Sequence, residues 1–196
     1  MRHFKLLFAL LLFVGVASAQ TLDCTQIKKE GTKAQYQYAL GECHYHNGEF
    51  QQAIDSYDKA IGENPPLSDE QKIKVFINEG NSYLKLHRNK EAVLMYVVAA
   101  KTSPNPALAY FNICAVMYNV GDTARAKDFC KTAIKYDPGK ADAYFILGSV
   151  LLADSPIDNG KLQVTPGTRE ALEKYIELTP DGPHATDVKA MLEYIK

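Results

Sequence analysis

ALAYFNICAVMYNVGDTARAKDFCKTAIKYDPGK, residues 107–140, reads as two helices folded back on each other. Cys114 stands midway along the first apolar run, and Ala126, Cys130 and Ala133 recur at helical spacing in the second. Gly121-Asp122 between the runs is a turn signal, and Pro138 closes the second helix, because proline cannot donate an N–H and clashes with a continuing turn. Working outward, the same marks return. Gly41 is followed by Ala53, Tyr57, Ala60 and Pro65, and Gly80 by Ala92, Tyr96, Ala99 and Pro104. In all three stretches the small residue precedes the first Ala by 12 positions and the Pro by 24. A looser fourth copy runs from Gly148 through Ala171, Tyr175 and Leu178 to Pro180. Gly80 to Cys114 and Cys114 to Gly148 are each 34 residues, and Gly41 to Gly80 is 39. A small residue in the first helix admits the second closely; alanines fill the narrow part of the seam and an aromatic ring the wider part. One hairpin cannot bury its apolar face alone, so successive hairpins stack.

These residues at these spacings resemble the tetratricopeptide repeat family over about residues 34–183. The resemblance implies an all-α fold, a right-handed α-solenoid of about four helical hairpins plus a C-terminal capping helix. The hairpins are expected over 34–67, 73–106, 107–140 and 141–183, and the cap over 184–196, where Val188, Met191, Leu192 and Ile195 form one apolar stripe. The chain departs from the pattern at Gln37, where the other copies carry Phe76, Tyr110 and Tyr144, and at Cys114 and Cys130, which replace the small and the aromatic residue of the third copy. Five extra residues surround Pro65-Pro66-Leu67-Ser68, and Ser68 with Gln71 has the capping-box pattern, so the next helix is expected to start near Asp69. In the fourth copy 11 residues are inserted, at about 154–168, turn-rich with a short extended stretch at 161–164. Residues 20–33 form a polar lead, with a helix expected from about Thr25.

Arg2 and Lys5, the apolar run 6–14 and Ala17-Ser18-Ala19 have the layout of a secretory signal peptide over residues 1–19. The run is too short for a stable membrane anchor, which needs roughly 20 residues. Removal of residues 1–19 leaves 177 residues with 20 basic and 23 acidic side chains. The chain is therefore expected to be exported, periplasmic or secreted, with no integral membrane span after cleavage. The composition, 46% hydrophobic and 23% charged, excludes a disordered or collagen-like chain, and 22 basic against 23 acidic residues leave no excess to draw it onto nucleic acid. In an oxidising compartment four cysteines raise the question of disulfides. Cys114 and Cys130 fall opposite each other across their hairpin; they are read as a disulfide, against the alternative of two buried thiols. By elimination Cys24 then pairs with Cys43 and pins the lead onto the first hairpin.

No nucleophile elbow, phosphate loop, zincin motif or acidic pair is present, so neither catalysis nor a cofactor is expected. Cys43 and His46 share a helix face, but His44 occupies a packing position of the repeat and no metal site is assigned. The resemblance implies a concave surface lined by first helices. By register its residues are Tyr38 and Tyr45, then Ile77 and Asn81, then Phe111, Tyr118 and Phe145. Asn78, Asn81 and Asn112 sit near positions that clamp a peptide carboxylate in some members, but Ile77 and Leu108 stand where the cations belong. The function implied is a non-enzymatic scaffold that binds a protein or peptide partner in this aromatic groove. The alternative is a structural envelope component that self-associates through its convex face or the fourth-copy insert; an oligomer fits either. A plug made from the chain's own lead, insert or cap is the competing use of the groove.

Overall fold

Nine α-helices follow one another among residues 21–195, which are the residues the computed structural model describes. They are α1 (Lys33–His46), α2 (Phe50–Gly62), α3 (Asp69–Lys85), α4 (Asn89–Thr102), α5 (Ala107–Asn119), α6 (Thr123–Tyr136), α7 (Ala141–Ala153), α8 (Thr168–Leu178) and α9 (Ala185–Tyr194). The expected signal peptide lies outside the described residues. No helix among the described residues is long and apolar enough to cross a membrane. α1 pairs with α2, α3 with α4, α5 with α6 and α7 with α8; each pair stacks on the next, and α9 closes on α8.

Each pair meets where its first helix has almost no side chain. A Cβ added to Gly41 would lie 2.5 Å from the Tyr57 ring, and one on Gly80 would collide in the same way with Tyr96. In the third pair the same crossing is made by a covalent bond, Cys114 to Cys130, with both residues fully buried. In the fourth the crossing differs from expectation. Leu172, not Tyr175, covers Gly148, where an added Cβ would lie 2.5 Å from Leu172 Cδ2. Tyr175 is turned toward α9, and its hydroxyl accepts from the His184 backbone N–H at 3.0 Å.

Seven residues beyond the first three crossings the chain reverses through positive φ, at Gly48 (76°), His87 (58°) and Gly121 (78°). The matching residue of the fourth pair is Ser155, followed by Pro156, and here the chain leaves the hairpin pattern. Ser155 Oγ accepts from Thr165 N–H at 2.9 Å and closes the neck of the insert. Above it β1 (Ile157–Asp158) pairs antiparallel with β2 (Lys161–Leu162) across Asn159 and Gly160, both at positive φ, the geometry of a two-residue primed turn.

The lead is held at the far end of α1. Instead of the expected helix it makes a 3-10 turn, Cys24–Gln26, with Asp23 Oδ1 accepting from Thr25 N–H. Leu22 donates its N–H to Asn47 Oδ1 at 2.7 Å and accepts from Asn47 Nδ2 at 2.8 Å. The Cys24–Cys43 bond completes the attachment, on the face of α1 turned away from α2. The Cα separations of the two disulfides, 5.8 and 5.2 Å, are ordinary for the bond.

One core position breaks the pattern. The residue before each crossing is Leu40, Ile113 or Leu147 in three copies but Glu79 in α3. Glu79 is 2% exposed and its Oε1 has no hydrogen-bond partner among the described residues. Burial, and secondarily the Asp58 carboxylate, push its pKa up to about 8, so it is largely neutral at pH 7. The unfolded chain releases this proton near 4.5, the folded chain near 8; between those values the folded state holds more protons, and stability falls as pH rises. Thermal melts across pH 5–9 should show that decline in the native protein. Glu79→Gln should flatten it, stabilising the fold at pH 8.5 by on the order of 2 kcal/mol while leaving pH 5 nearly unchanged. Mass analysis of the non-reduced protein should show four hydrogens fewer than the reduced chain. Opening the bond at Cys114 and Cys130 should lower stability by about 3 kcal/mol in denaturant titrations.

Candidate functional site

The first helices of the hairpins, α1, α3, α5 and α7, are neighbours along one face of the stack, with direct contacts of α1 with α3 and of α5 with α7. At the amino-terminal half of this face polar side chains tie the rows together. Tyr57 passes over Gly41 and donates its hydroxyl to Glu42 Oε1. Asn78 Nδ2, from the next hairpin, also donates to Glu42 Oε1 at 2.8 Å, and Lys74 pairs with the same carboxylate. Burial raises the Glu42 pKa, but the bonds from Lys74, Tyr57 and Asn78 outweigh it and hold the group below the usual Glu value. The Glu42 bond in turn pushes the Lys74 ammonium up to about 12. Burial first, and the bond to Glu42 second, raise the Tyr57 phenol. One turn further along α3, Tyr96 donates to Asn81 Oδ1 at 2.7 Å, and Asn81 Nδ2 donates to Tyr45 Oη at 3.2 Å.

Two pockets open on this face. One of about 540 Å³ is lined by Tyr45, Asn81, Leu84, Lys85 and His87. The other, about 370 Å³, is lined by Phe111, Tyr118, Asn119, Asp142, Phe145 and Ile146, with Pro183 and His184 as its far wall. Tyr118 is 36% exposed, and Leu108 in the first turn of the same helix is also exposed. His184 lies flat on Phe145, with ring centroids 3.9 Å apart and planes 1° from parallel. Lys140 holds its ammonium 4.6 Å above the Phe111 ring.

Of the seven residues expected on this face, the structure brings Tyr45 and Asn81 together in one pocket and Phe111, Tyr118 and Phe145 in the other. Tyr38 and Ile77 line neither. Tyr38 packs against Tyr57, with centroids 6.4 Å apart, under Lys74. Ile77 packs between the second and third hairpins. Asn81 has one amide hydrogen and one carbonyl lone pair committed inside the fold, leaving one of each for a ligand. Asn78 is committed as well, so these asparagines serve as cross-links between hairpins before anything else. The cap contributes to the groove as its end wall, a role for His184 that sequence alone does not reveal. The lead does not enter either groove pocket; it lies against Ala39, Cys43 and His46 of α1.

Cys43, which shares a helix face with His46, is joined to Cys24 and carries no free thiol. Cys24, His44 and Glu49 place one donor atom each within 4.8 Å of one another, but the Cys24 sulfur is in the disulfide and offers no thiolate. His44 Nδ1 instead meets Glu49 Oε2 across the first turn.

Residues 34–67, the first hairpin, match the tetratricopeptide repeat family. In fold the chain is similar to YrrB, described as a TPR protein with an unusual peptide-binding site. The two are 22% identical with a TM-score of 0.61, over 81% of this chain and 75% of that one. MamA is 21% identical with a TM-score of 0.63, over 79% of this chain and 82% of its own. TTC0263, a thermophilic TPR protein in Thermus thermophilus, is 15% identical with a TM-score of 0.54, over 86% and 84% of the two chains. At these identities the likeness is one of fold. No curated protein matches the chain.

Because Asn81 joins Tyr45 to Tyr96, Asn81→Ala leaves the Tyr96 hydroxyl buried without its acceptor. The variant should lose about 1–3 kcal/mol in denaturant melts with no ligand present, whereas an asparagine that served only a ligand would leave the melt unmoved.

Proposed function

We propose that the chain is a tetratricopeptide-repeat scaffold that holds a peptide segment of a protein partner along its α1–α3–α5–α7 face, with no catalytic step and no cofactor. The observation that carries this reading is the open pocket at Phe111, Tyr118 and Phe145. There Tyr118 is exposed and the part-buried rings of Phe111 and Phe145 line open space, whereas Tyr38 and Asn78 of the same face are engaged inside the fold. Aromatic side chains held by rigid helices lose little conformational freedom on binding, which is why such positions tend to dominate interface energies. The free hydrogen and lone pair of Asn81 suit the backbone of an extended peptide. The stacked pair Phe145–His184 gives the groove a firm end wall.

Export fits the two disulfides, which bond every cysteine of the chain; such bonds persist in oxidising compartments. A periplasmic or secreted setting also agrees with the layout of residues 1–19.

A peptide selected from a random library on the immobilised protein is the direct test. Phe111→Ala and Tyr118→Ala should each weaken that peptide about tenfold or more in fluorescence polarisation, equivalent to ~1.4 kcal/mol. Helical content should stay unchanged. Peptides that bind both variants as tightly as the native protein would place the working surface elsewhere.

A further inference from the structure

A further apolar pocket lies away from this groove, on the edge where the hairpin turns line up. The first turns of α4, the last turn of α5 and the start of α6 enclose a pocket of about 520 Å³. Its walls are Leu94, Val116, Met117 and Val120, and Lys90 and Arg125 stand on its rim. Leu94 is 60% exposed and Val120 50%, an unusual burden for two aliphatic side chains on one small surface. The same edge carries the insert, since it replaces the turn between α7 and α8. Lys127 of α6 meets Asp154 at the end of α7 at 3.5 Å, which ties the two neighbouring turns together. On the first strand of the insert, between the Ser155 neck and the Asn159-Gly160 turn, Ile157 is 73% exposed, the most exposed large apolar residue among the described residues. The primed turn and the Ser155–Thr165 neck fix the hairpin that carries it, and Leu162, its partner across the ladder, packs toward the cap and leaves Ile157 facing solvent.

We propose that two copies of this chain meet edge to edge about a two-fold axis, the Ile157 knob of each entering the Leu94–Val120 pocket of the other. Three features argue for a second copy as the occupant. Knob and pocket match in chemistry, a branched aliphatic side chain against aliphatic walls. Their flanks match in charge: Asp158 follows Ile157 and has no ion pair among the described residues, and neither has Lys90 on the pocket rim. The hairpin's Lys161 stands across the ladder from Asp158 without forming an ion pair with it. Finally, knob and pocket share one edge of the chain at different heights along the stack. A two-fold axis therefore makes the contact twice and closes the assembly, whereas a single head-to-tail contact would leave it open. The groove face stays free in this arrangement, so the dimer presents two peptide sites.

Sedimentation velocity on the purified protein up to about 200 μM tests this. The native chain should sediment as a dimer. Ile157→Asp and Leu94→Asp, both at exposed positions and both checked for native helix content, should each sediment as monomers. An equimolar mixture of the two variants is diagnostic. One intact knob then faces one intact pocket, so the mixture should associate more than either variant alone and less than the native chain. A native protein that stays monomeric, a dimer that survives both substitutions, or a mixture no more associated than its components would each overturn the proposal.

Discussion

Two helices can cross at close range only where one of them gives up its side chain, and that constraint governs this molecule. At Gly41 and Gly80 the room is taken by the rings of Tyr57 and Tyr96, at Gly148 by Leu172, and at Cys114 by a sulfur–sulfur bond. These are three solutions, at four crossings, to one steric problem. The 16-residue spacing from Gly41 to Tyr57, Gly80 to Tyr96 and Cys114 to Cys130 follows from it, because each hairpin has to bring the same point of its second helix over the same point of its first.

The choice made at each crossing decides what reaches the groove. A tyrosine laid over glycine carries its hydroxyl through the seam to the opposite face, where it needs a partner. Glu42 and Asn78 meet the first, Asn81 the second. The amino-terminal half of the face is consequently polar and cross-linked. The disulfide and Leu172 bring no hydroxyl through, so the carboxy-terminal half has nothing polar to satisfy from behind. There Tyr118 is left to solvent or to a ligand, next to the partly covered rings of Phe111 and Phe145. The division of the groove into a braced half and an open half is thus a result of core packing.

Much of the fold was legible in the residues, because the marks that define it are local. Glycine, alanine and proline at fixed spacing state where helices cross and where they stop, and the Ser68–Gln71 cap is present as its pattern implies. The candidate site was legible only in part. Asn78 bonds Glu42 and Asn81 bonds Tyr45, each pair 36 residues apart, and nothing in either stretch announces the other. His184 stacking on Phe145 depends on how α9 docks, which an apolar stripe leaves open in rotation. The turn of Tyr175 toward α9 has the same origin: once Leu172 fills the space over Gly148, the ring is free to pack on the cap. Glu79 escapes a reading by period because it keeps the place of a leucine and departs only in chemistry.

Both sulfur bonds join cysteines that are consecutive in the chain, with sequence separations of 19 and 16, and each closes at a single hairpin. A polypeptide entering an oxidising environment from its amino end therefore meets its thiols in pairs that already belong together. Cys24 and Cys43 can be sealed before Cys114 emerges, and any exchange between the two pairs would have to link hairpins that are not neighbours. For a chain exported in this way, oxidation in order of emergence would reach these two pairs without exchange between them.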